Sequence, residues 1–420
     1  MKKQLALQNV HTQDPEIAAI NDREEQNQME TISLIPSQNY TSVAVRETYS
    51  SVFTNKYSEG YPNARYYPDN THVDEVELIT QKRALALFGL SEKEWGVNVQ
   101  PYSGSPANLA IYTALLKPDD TALGMSLTEG GHLTHGHKAS SSGKFFSFQQ
   151  YGVDKDGYID FDGLEALAQE HKPKAIICGA SAYSRTIDFE KFAAIARAAN
   201  AYLIADISHI AGLIAAGLHP SPFEWADVVM TTTHKTLRGP RGAVIFARLN
   251  HMSAINKAVM PGIQGGPHNN TTAAIAVALK EAQQPVFQQY AQQVIKNAAT
   301  LVNALQKKEF TIVSGGTDNH LFLIDCTQQN LSGTEAEQLL ESVGIAANRN
   351  TIPSETRSAF DPSGIRMGTP CVTTRGMREP EMERIAEAIH NAFTRQHTEK
   401  TKEEMRALAQ QFPPPGFSFS

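Results

Sequence analysis

Apolar positions along this chain recur with two periods, and their alternation outlines the fold. Asp14, Pro15 and Glu16 predict a helix start: a side chain able to cap, a proline suited to the first helical position, and a carboxylate near the positive end. Residues 31–70 are rich in Ser, Tyr, Asn, Gly and Pro, which predicts loops of the kind that line sites. Helical spacing returns over residues 73–88 and stops at Gly89. From about residue 95 to 250, short apolar runs alternate with amphipathic segments. Strands are expected at Ala175–Cys178, Tyr202–Asp206, 227–231 and 243–247, with a helix over 188–199. Such alternation predicts an α/β layer with a mostly parallel sheet. A long amphipathic segment, about 273–306, leads out of that layer. Strands at 311–313 and Leu321–Asp325 and helices near 333–343 and 379–396 then predict a smaller α+β unit. Phe412-Pro413-Pro414-Pro415-Gly416 excludes a helix and is expected as a surface strap or a frayed end.

Composition narrows the picture. A chain of 420 residues exceeds what one ordinary hydrophobic core serves, so two or three compact units are expected. With 37 basic against 44 acidic side chains, the net charge of −7 offers nothing to nucleic acid or an anionic membrane surface. Met1-Lys2-Lys3 leads into Leu5, Ala6 and Leu7 and turns polar at Gln8, shorter than the apolar stretch of a secretory signal, and no later run reaches membrane-spanning length. Cys178, Cys326 and Cys371 lie far apart without metal or redox spacing, so no metal site is expected and the cytoplasm is the expected compartment. Cys178, inside an apolar run, is expected as a buried small hydrophobe.

In an α/β sheet, ligands gather at the carboxyl ends of the strands. Asp206 closes one predicted strand, with His209 three residues on. His234 and Lys235 follow another through Thr231-Thr232-Thr233. Ser103-Gly104-Ser105 precedes a helix expected over 106–116, with Pro106 at its first position. Each has a plain reading alone: a helix cap, a turn carboxylate, a solvated lysine. Ser-Gly-Ser at a helix start also suits an anion cradle, since free N–H groups, two hydroxyls and the positive helix end favour a phosphate. Lys235 leads into Leu237-Arg238-Gly239-Pro240-Arg241-Gly242, a turn dense with groups that position anions.

The run Thr231-Thr232-Thr233-His234-Lys235-Thr236-Leu237-Arg238-Gly239-Pro240-Arg241-Gly242 resembles the cofactor-lysine signature of the serine hydroxymethyltransferase family. So does Asn55-Lys56-Tyr57-Ser58-Glu59-Gly60-Tyr61-Pro62 with Arg65-Tyr66-Tyr67. The likeness continues in Gly130-Gly131-His132-Leu133-Thr134-His135-Gly136, Asp206-Ile207-Ser208-His209, Gln264-Gly265-Gly266-Pro267, Ser314-Gly315-Gly316-Thr317-Asp318-Asn319-His320 and Ser363-Gly364-Ile365-Arg366-Met367-Gly368-Thr369-Pro370. It spans roughly residues 15–412 in the family's order. It implies a pyridoxal-phosphate enzyme of fold type I, aspartate-aminotransferase-like. The expected organisation is an N-terminal arm over 1–35, a large cofactor-binding α/β domain over 36–285 and a small α+β domain over 286–420.

The implied activity moves the hydroxymethyl carbon of serine to tetrahydrofolate, leaving glycine and 5,10-methylenetetrahydrofolate. By this resemblance Lys235 carries pyridoxal 5'-phosphate as a Schiff base, and Asp206 pairs with its pyridine nitrogen. His132 stacks on the ring, and His209 lies near the ring oxygen and the substrate hydroxyl. Ser103, Gly104, Ser105, Ser181 and His234 complete the cofactor set, with Gly265, Gly266 and Tyr57 arriving from a second subunit. A homodimer with shared sites follows, alone or within a tetramer. Arg366 would grip the substrate carboxylate, helped by Ser37. Tyr67 is a phenol near the lysine, and Glu59, flanked by Tyr57 and the Tyr66-Tyr67 pair, manages the proton at the hydroxymethyl oxygen and is protonated in part of the cycle. The folate-facing set is Glu59, Tyr66, Leu127, Gly131, Leu133, Asn350, Ser358 and Phe360, with Ala359 between the last two.

Four positions depart from the family's usual pattern. Gln38 stands in place of a glutamate, Pro106 in place of a glutamine, Pro68-Asp69 in place of a glycine pair, and Glu129 in place of His or Ser. Together they bear on folate affinity more than on the chemistry. Two alternatives within enzymes are a folate-independent aldolase acting on β-hydroxy amino acids such as allo-threonine, and an α-methylserine hydroxymethyltransferase. A third is an inactive relative kept for binding, against which Lys235, Asp206, Glu59 and Arg366 argue.

Overall fold

The computed structural model describes residues 9–417, so the reading of the opening residues 1–8 lies outside the described residues. Asp14 caps the helix Pro15–Glu30, its carboxylate accepting from the Ile17 N–H at 3.1 Å, as the sequence predicts.

A seven-stranded sheet comprises β1 (Trp95–Asn98), β2 (Thr121–Met125), β3 (Ser147–Tyr151), β4 (Ala175–Cys178), β5 (Tyr202–Asp206), β6 (Val228–Thr232) and β7 (Ala243–Arg248). Their order across the sheet is β1-β7-β6-β5-β4-β2-β3. Neighbours from β3 to β6 run parallel, and β7 alone is reversed, antiparallel to both β6 and β1. Successive residues of the central strands point to opposite faces, and both faces are covered. Leu123, Ile176, Cys178, Leu203, Ala205, Val229, Val244 and Phe246 pack into one core. Ala122, Ala175, Ile177, Ile204, Val228, Met230 and Ile245 pack into another, under Ala107, Ala110 and Ile111 of the helix Gly104–Leu115. Burial on two faces is why these strands read as unbroken apolar runs, and Cys178 is fully buried among them as expected.

Several expected bounds shift; the helix placed at 379–396 ends at Phe393 and the strand at 311–313 ends at Ile312. The strand placed at 227–231 lies one residue later. The helix placed at 106–116 begins at Gly104, so Pro106 occupies its third position, where its missing N–H is still one of the unpaired first-turn donors. The amphipathic segment 273–306 is two helices, Asn269–Ala282 and Pro285–Gln306, because Gln284 is extended and Pro285 opens the second.

A second, antiparallel sheet orders β8 (Thr311–Ile312), β9 (Leu321–Asp325), β11 (Gly364–Gly368) and β10 (Asn348–Asn350). Phe322, Ile324, Ile365 and Met367 pack there against Met382, Ile385 and Ile389 of the helix Glu379–Phe393, with Ile32 and Leu34 from the arm. The helix Pro285–Gln306 serves both units: Phe287, Ala291 and Val294 join the large core, and Leu301, Val302 and Leu305 the small one. Buried Arg375 ties the chain ends together, donating to the carbonyls of Gln28, Met29, Thr31, Ala409 and Phe412. The proline tail is a strap, held by an Arg46 hydrogen bond to the Pro415 carbonyl at 2.7 Å. Among the described residues no helix is long and apolar enough to cross a membrane, and no group of three or more His, Cys, Asp or Glu could hold a metal ion.

Candidate active site

A cavity of about 380 Å³ opens at the carboxyl ends of β5 and β6, where the first sheet meets the second. It is lined by Ser37, Ser103, Gly104, Ser105, Leu127, Gly131, His132, Leu133, Ser181, Asp206, His209, His234, Lys235, Asn350 and Arg366, fifteen residues named from sequence.

Lys235 is buried in a short turn after β6, and its φ of +50° lies in the left-handed region that few non-glycine residues adopt. Its surroundings hold it there. Asn39 donates to the Lys235 carbonyl at 2.8 Å, and the Thr233 hydroxyl closes the loop on the Pro240 carbonyl at 2.6 Å. The Thr236 hydroxyl bonds the His209 carbonyl at 3.0 Å, coupling the two turns. Burial brings the Lys235 amine down to about 8, against the upward pull of Asp206.

Asp206 accepts four hydrogen bonds. Its Oδ1 takes the Ser208 N–H and hydroxyl at 3.1 and 2.6 Å; its Oδ2 takes Asn108 at 2.9 Å and His135 Nε2 at 3.1 Å. The His135 tautomer follows, because its Nδ1 accepts the His132 N–H and leaves the proton on Nε2 for Asp206. Burial would raise the Asp206 carboxyl, but the His135 hydrogen bond leads the effects that outweigh it and hold the group far below the usual range. Asn108 also donates to the Thr134 hydroxyl, which lies 2.7 Å from His132 Nδ1. Burial lowers His132 to about 4, so its imidazole is neutral.

The helix start beside Lys235 is open. Ser103 makes no side-chain capping bond, and a Cβ on Gly104 would sit 2.8 Å from Thr232 Cγ2. Arg366, on β11, donates to the Ser181 carbonyl at 2.6 Å and to Asn348 at 3.2 Å. No carboxylate among the described residues pairs with it, and burial lowers its guanidinium to about 10. Gly131 admits no side chain: a Cβ there would stand 2.0 Å from the Met125 carbonyl.

Other predicted residues form a separate group on the surface. Glu59 lies 3.3 Å from the Tyr57 hydroxyl, Tyr57 and Tyr67 meet edge to face at 5.2 Å, and Gly265 and Gly266 pack beside Glu59 and Tyr57. Tyr57, Tyr66 and Tyr67 are all exposed, and none of this group lines the cavity of its own chain. The Glu59 carboxylate holds the Tyr57 phenol above its ordinary value. The hairpin carrying them is anchored by buried Arg65, paired with Asp74 at 2.8 Å and Glu77 at 2.6 Å. Asn70 donates to the carbonyls of Tyr57, Tyr67 and Pro68. Ser358 and Phe360 sit on an exposed loop away from the cavity wall.

Of the departures, Gln38 accepts from the Ser33 hydroxyl at 2.9 Å, a bond a glutamate would also make. Asp69 adopts φ +63° and pairs with Lys56 at 2.7 Å. Glu129 lies 3.4 Å from the N–H groups of Val153 and Ser354.

A mixed α/β sheet with one reversed strand, opening at its carboxyl edge on a buried lysine and an ionised aspartate, belongs to the fold class expected from sequence: the large domain of a pyridoxal-phosphate transferase. The family model described as serine hydroxymethyltransferase matches residues 10–389. Serine hydroxymethyltransferase of Acidothermus cellulolyticus is 52% identical over 414 residues, 96% of each chain. Those of Sorangium cellulosum and Desulfotalea psychrophila are 51% and 49% identical, each over 98% of this chain and 97% of their own. This chain belongs to the serine hydroxymethyltransferase family, and it is an enzyme.

Sequence reasoning missed Asn39, Asn108, His135, Ser208 and His320 as working parts of the site. Signals were there: His135, Ser208 and His320 lie in the family-like blocks, Asn108 falls one helical turn beyond Gly104, and Ser208 can close a local turn on the Asp206 carboxylate.

Proposed function

We propose that the enzyme interconverts serine and glycine, passing the hydroxymethyl carbon to tetrahydrofolate, with pyridoxal phosphate held in the cavity on Lys235. The observation that carries this reading is Arg366, a guanidinium without a carboxylate partner in the same cavity as Lys235 and Asp206. Such a group suits the carboxylate of an amino acid.

The residues present fit the cofactor. The uncapped Ser103 hydroxyl, the helix start and the Gly104 cradle suit its phosphate. The ionised Asp206 suits a protonated pyridine nitrogen, with Asn108, His135 and Ser208 fixing the carboxylate. When bound, pyridoxal phosphate supplies the electron sink for bond breaking at the α-carbon. Neutral His132 offers its face to a flat ring, and Ser181 and His234 line the same wall. Arg366 and Ser37 orient the substrate carboxylate. Leu127, Gly131, Leu133 and Asn350 form the side toward a folate, with Ser358 and Phe360 on the loop beyond.

Glu59 holds and returns the proton at the hydroxymethyl oxygen, and Tyr67 lends a phenol beside Lys235, once both reach a cavity. The exposure of Tyr57, Tyr66 and Tyr67 on the surface of their own chain, with half-buried Glu59, Gly265 and Gly266 beside them and outside its cavity, favours delivery into the cavity of a partner subunit. The reading therefore includes a homodimer with shared sites. It also includes the arm, large-domain and small-domain division at about residues 35 and 285, and a cytoplasmic location.

Serine cleavage with and without tetrahydrofolate, set beside allo-threonine cleavage, tests the activity. Serine turnover that depends on folate is expected. Serine turnover indifferent to folate would overturn the proposal in favour of an aldolase.

A further inference from the structure

We propose that His320 is a positioning residue that fixes the tautomer of His209, leaving the His209 Nε2–H as a donor on the cavity side. His209 stands in the turn after β5, whereas His320 immediately precedes β9 of the second sheet. Their contact crosses from one unit to the other. His209 Nδ1 lies 3.2 Å from His320 Nε2, with ring centroids 5.5 Å apart and planes inclined at 25°. Both backbones are fixed: the His209 carbonyl accepts from Thr236 at 3.0 Å, and the His320 carbonyl accepts from the Thr369 N–H at 3.0 Å.

One proton occupies the contact between the two rings, and the question is which nitrogen carries it. His320 Nδ1 is closed off from solvent and has no hydrogen-bond partner. Were His209 Nδ1 the donor, neutral His320 would carry its own proton on that orphaned Nδ1. A buried N–H without an acceptor is the rarer and costlier defect, while a bare nitrogen there leaves only a lone pair unmet. The proton therefore sits on His320 Nε2 and points at His209 Nδ1, so that His209 keeps its own proton on Nε2. A charged pair is disfavoured as well: burial, with Arg366 and Lys235 nearby, lowers His320 to about 3 and holds His209 well below its ordinary value. His209 Nε2 makes no hydrogen bond within the described chain and is not closed off, and His209 lines the cavity.

This inference deepens the proposed serine–glycine reading and rests on it for what Nε2 faces, a ring or substrate oxygen on which negative charge develops. A preset N–H donor stabilises such charge; a bare nitrogen repels it.

Neutron diffraction from the cofactor-loaded enzyme in deuterated solvent reads the tautomer directly. Deuterium is expected on Nε2 of both histidines and on neither Nδ1; deuterium on His209 Nδ1 would overturn the inference. In kinetics, His320→Gln, whose amide can donate in the same place, should keep kcat within about threefold, and His320→Leu should lower it roughly ten- to a hundredfold with KM for serine little changed. A leucine variant as active as the parent would also overturn it, and if that variant does not fold, the deuterium positions decide. Absent serine turnover in the parent enzyme would sink the proposed function instead, and the tautomer would still be read.

Discussion

At the scale of single residues the site is governed by what burial does to charge. Lys235 is buried in a strained backbone conformation, yet the loss of solvation makes its amine easier to deprotonate, to about 8. A neutral amine is the form that attacks an aldehyde, and its fraction rises with pH through the folded value. Loading of cofactor-free enzyme should therefore accelerate from pH 6.5 to 8.5 and level off above, with a midpoint near 8 in stopped-flow absorption. A midpoint near that of a solvated lysine would contradict the buried environment. Asp206 behaves oppositely: His135, with His132 and Lys235 nearby, supplies more stabilisation to the carboxylate than burial removes, and Asn108 and Ser208 bond its oxygens. The motif-bearing residues were legible because their meaning is local. The roles of His320 and Asn39 were not, since they reach His209 and Lys235 from segments more than a hundred residues away; the family-like block that ends at His320 marks the residue and not its partner.

Among elements, legibility followed the environment of each strand. β4 and β5 matched residue for residue, because strands covered on both faces are written as uninterrupted apolar runs. β3, Ser-Phe-Gln-Gln-Tyr, lies at the sheet edge with mostly open faces, and β1 and β2 each carry a glycine; none of the three shows a pattern distinguishable from loop. The arm and the C-terminal helix Thr398–Gln411 depend on Arg375, whose guanidinium meets five carbonyls from both ends of the chain. Arg375→Met keeps the bulk and leaves those carbonyls without their donor. A loss of about 3 kcal/mol is expected in urea unfolding, with faster proteolysis of the arm and tail than of the sheet. Unchanged stability would mean that the arm is held by Ile32 and Leu34 alone.

On the scale of the whole molecule, the two groups of site residues lie apart in one chain, one in the cavity and one on the surface. The proposed sharing between subunits predicts a specific complementation. Lys235→Ala should be inactive, and Glu59→Gln should lose roughly a hundredfold in folate-dependent turnover while still binding serine. Unfolded together in equal amounts and refolded, the two should regain about a quarter of parental activity, because random pairing makes about half of the dimers mixed and each mixed dimer rebuilds one intact site while doubling the damage in the other. No recovery would mean that Lys235 and Glu59 act within one chain.

The proposed cofactor role of Lys235 stands under the activity predictions. Borohydride reduction of the pyridoxal-phosphate-loaded enzyme, followed by peptide mass mapping, locks the cofactor onto the residue that holds it. Its mass is expected on the peptide bearing Lys235 and on no other; a mark elsewhere, or none, would contradict the assignment of this cavity.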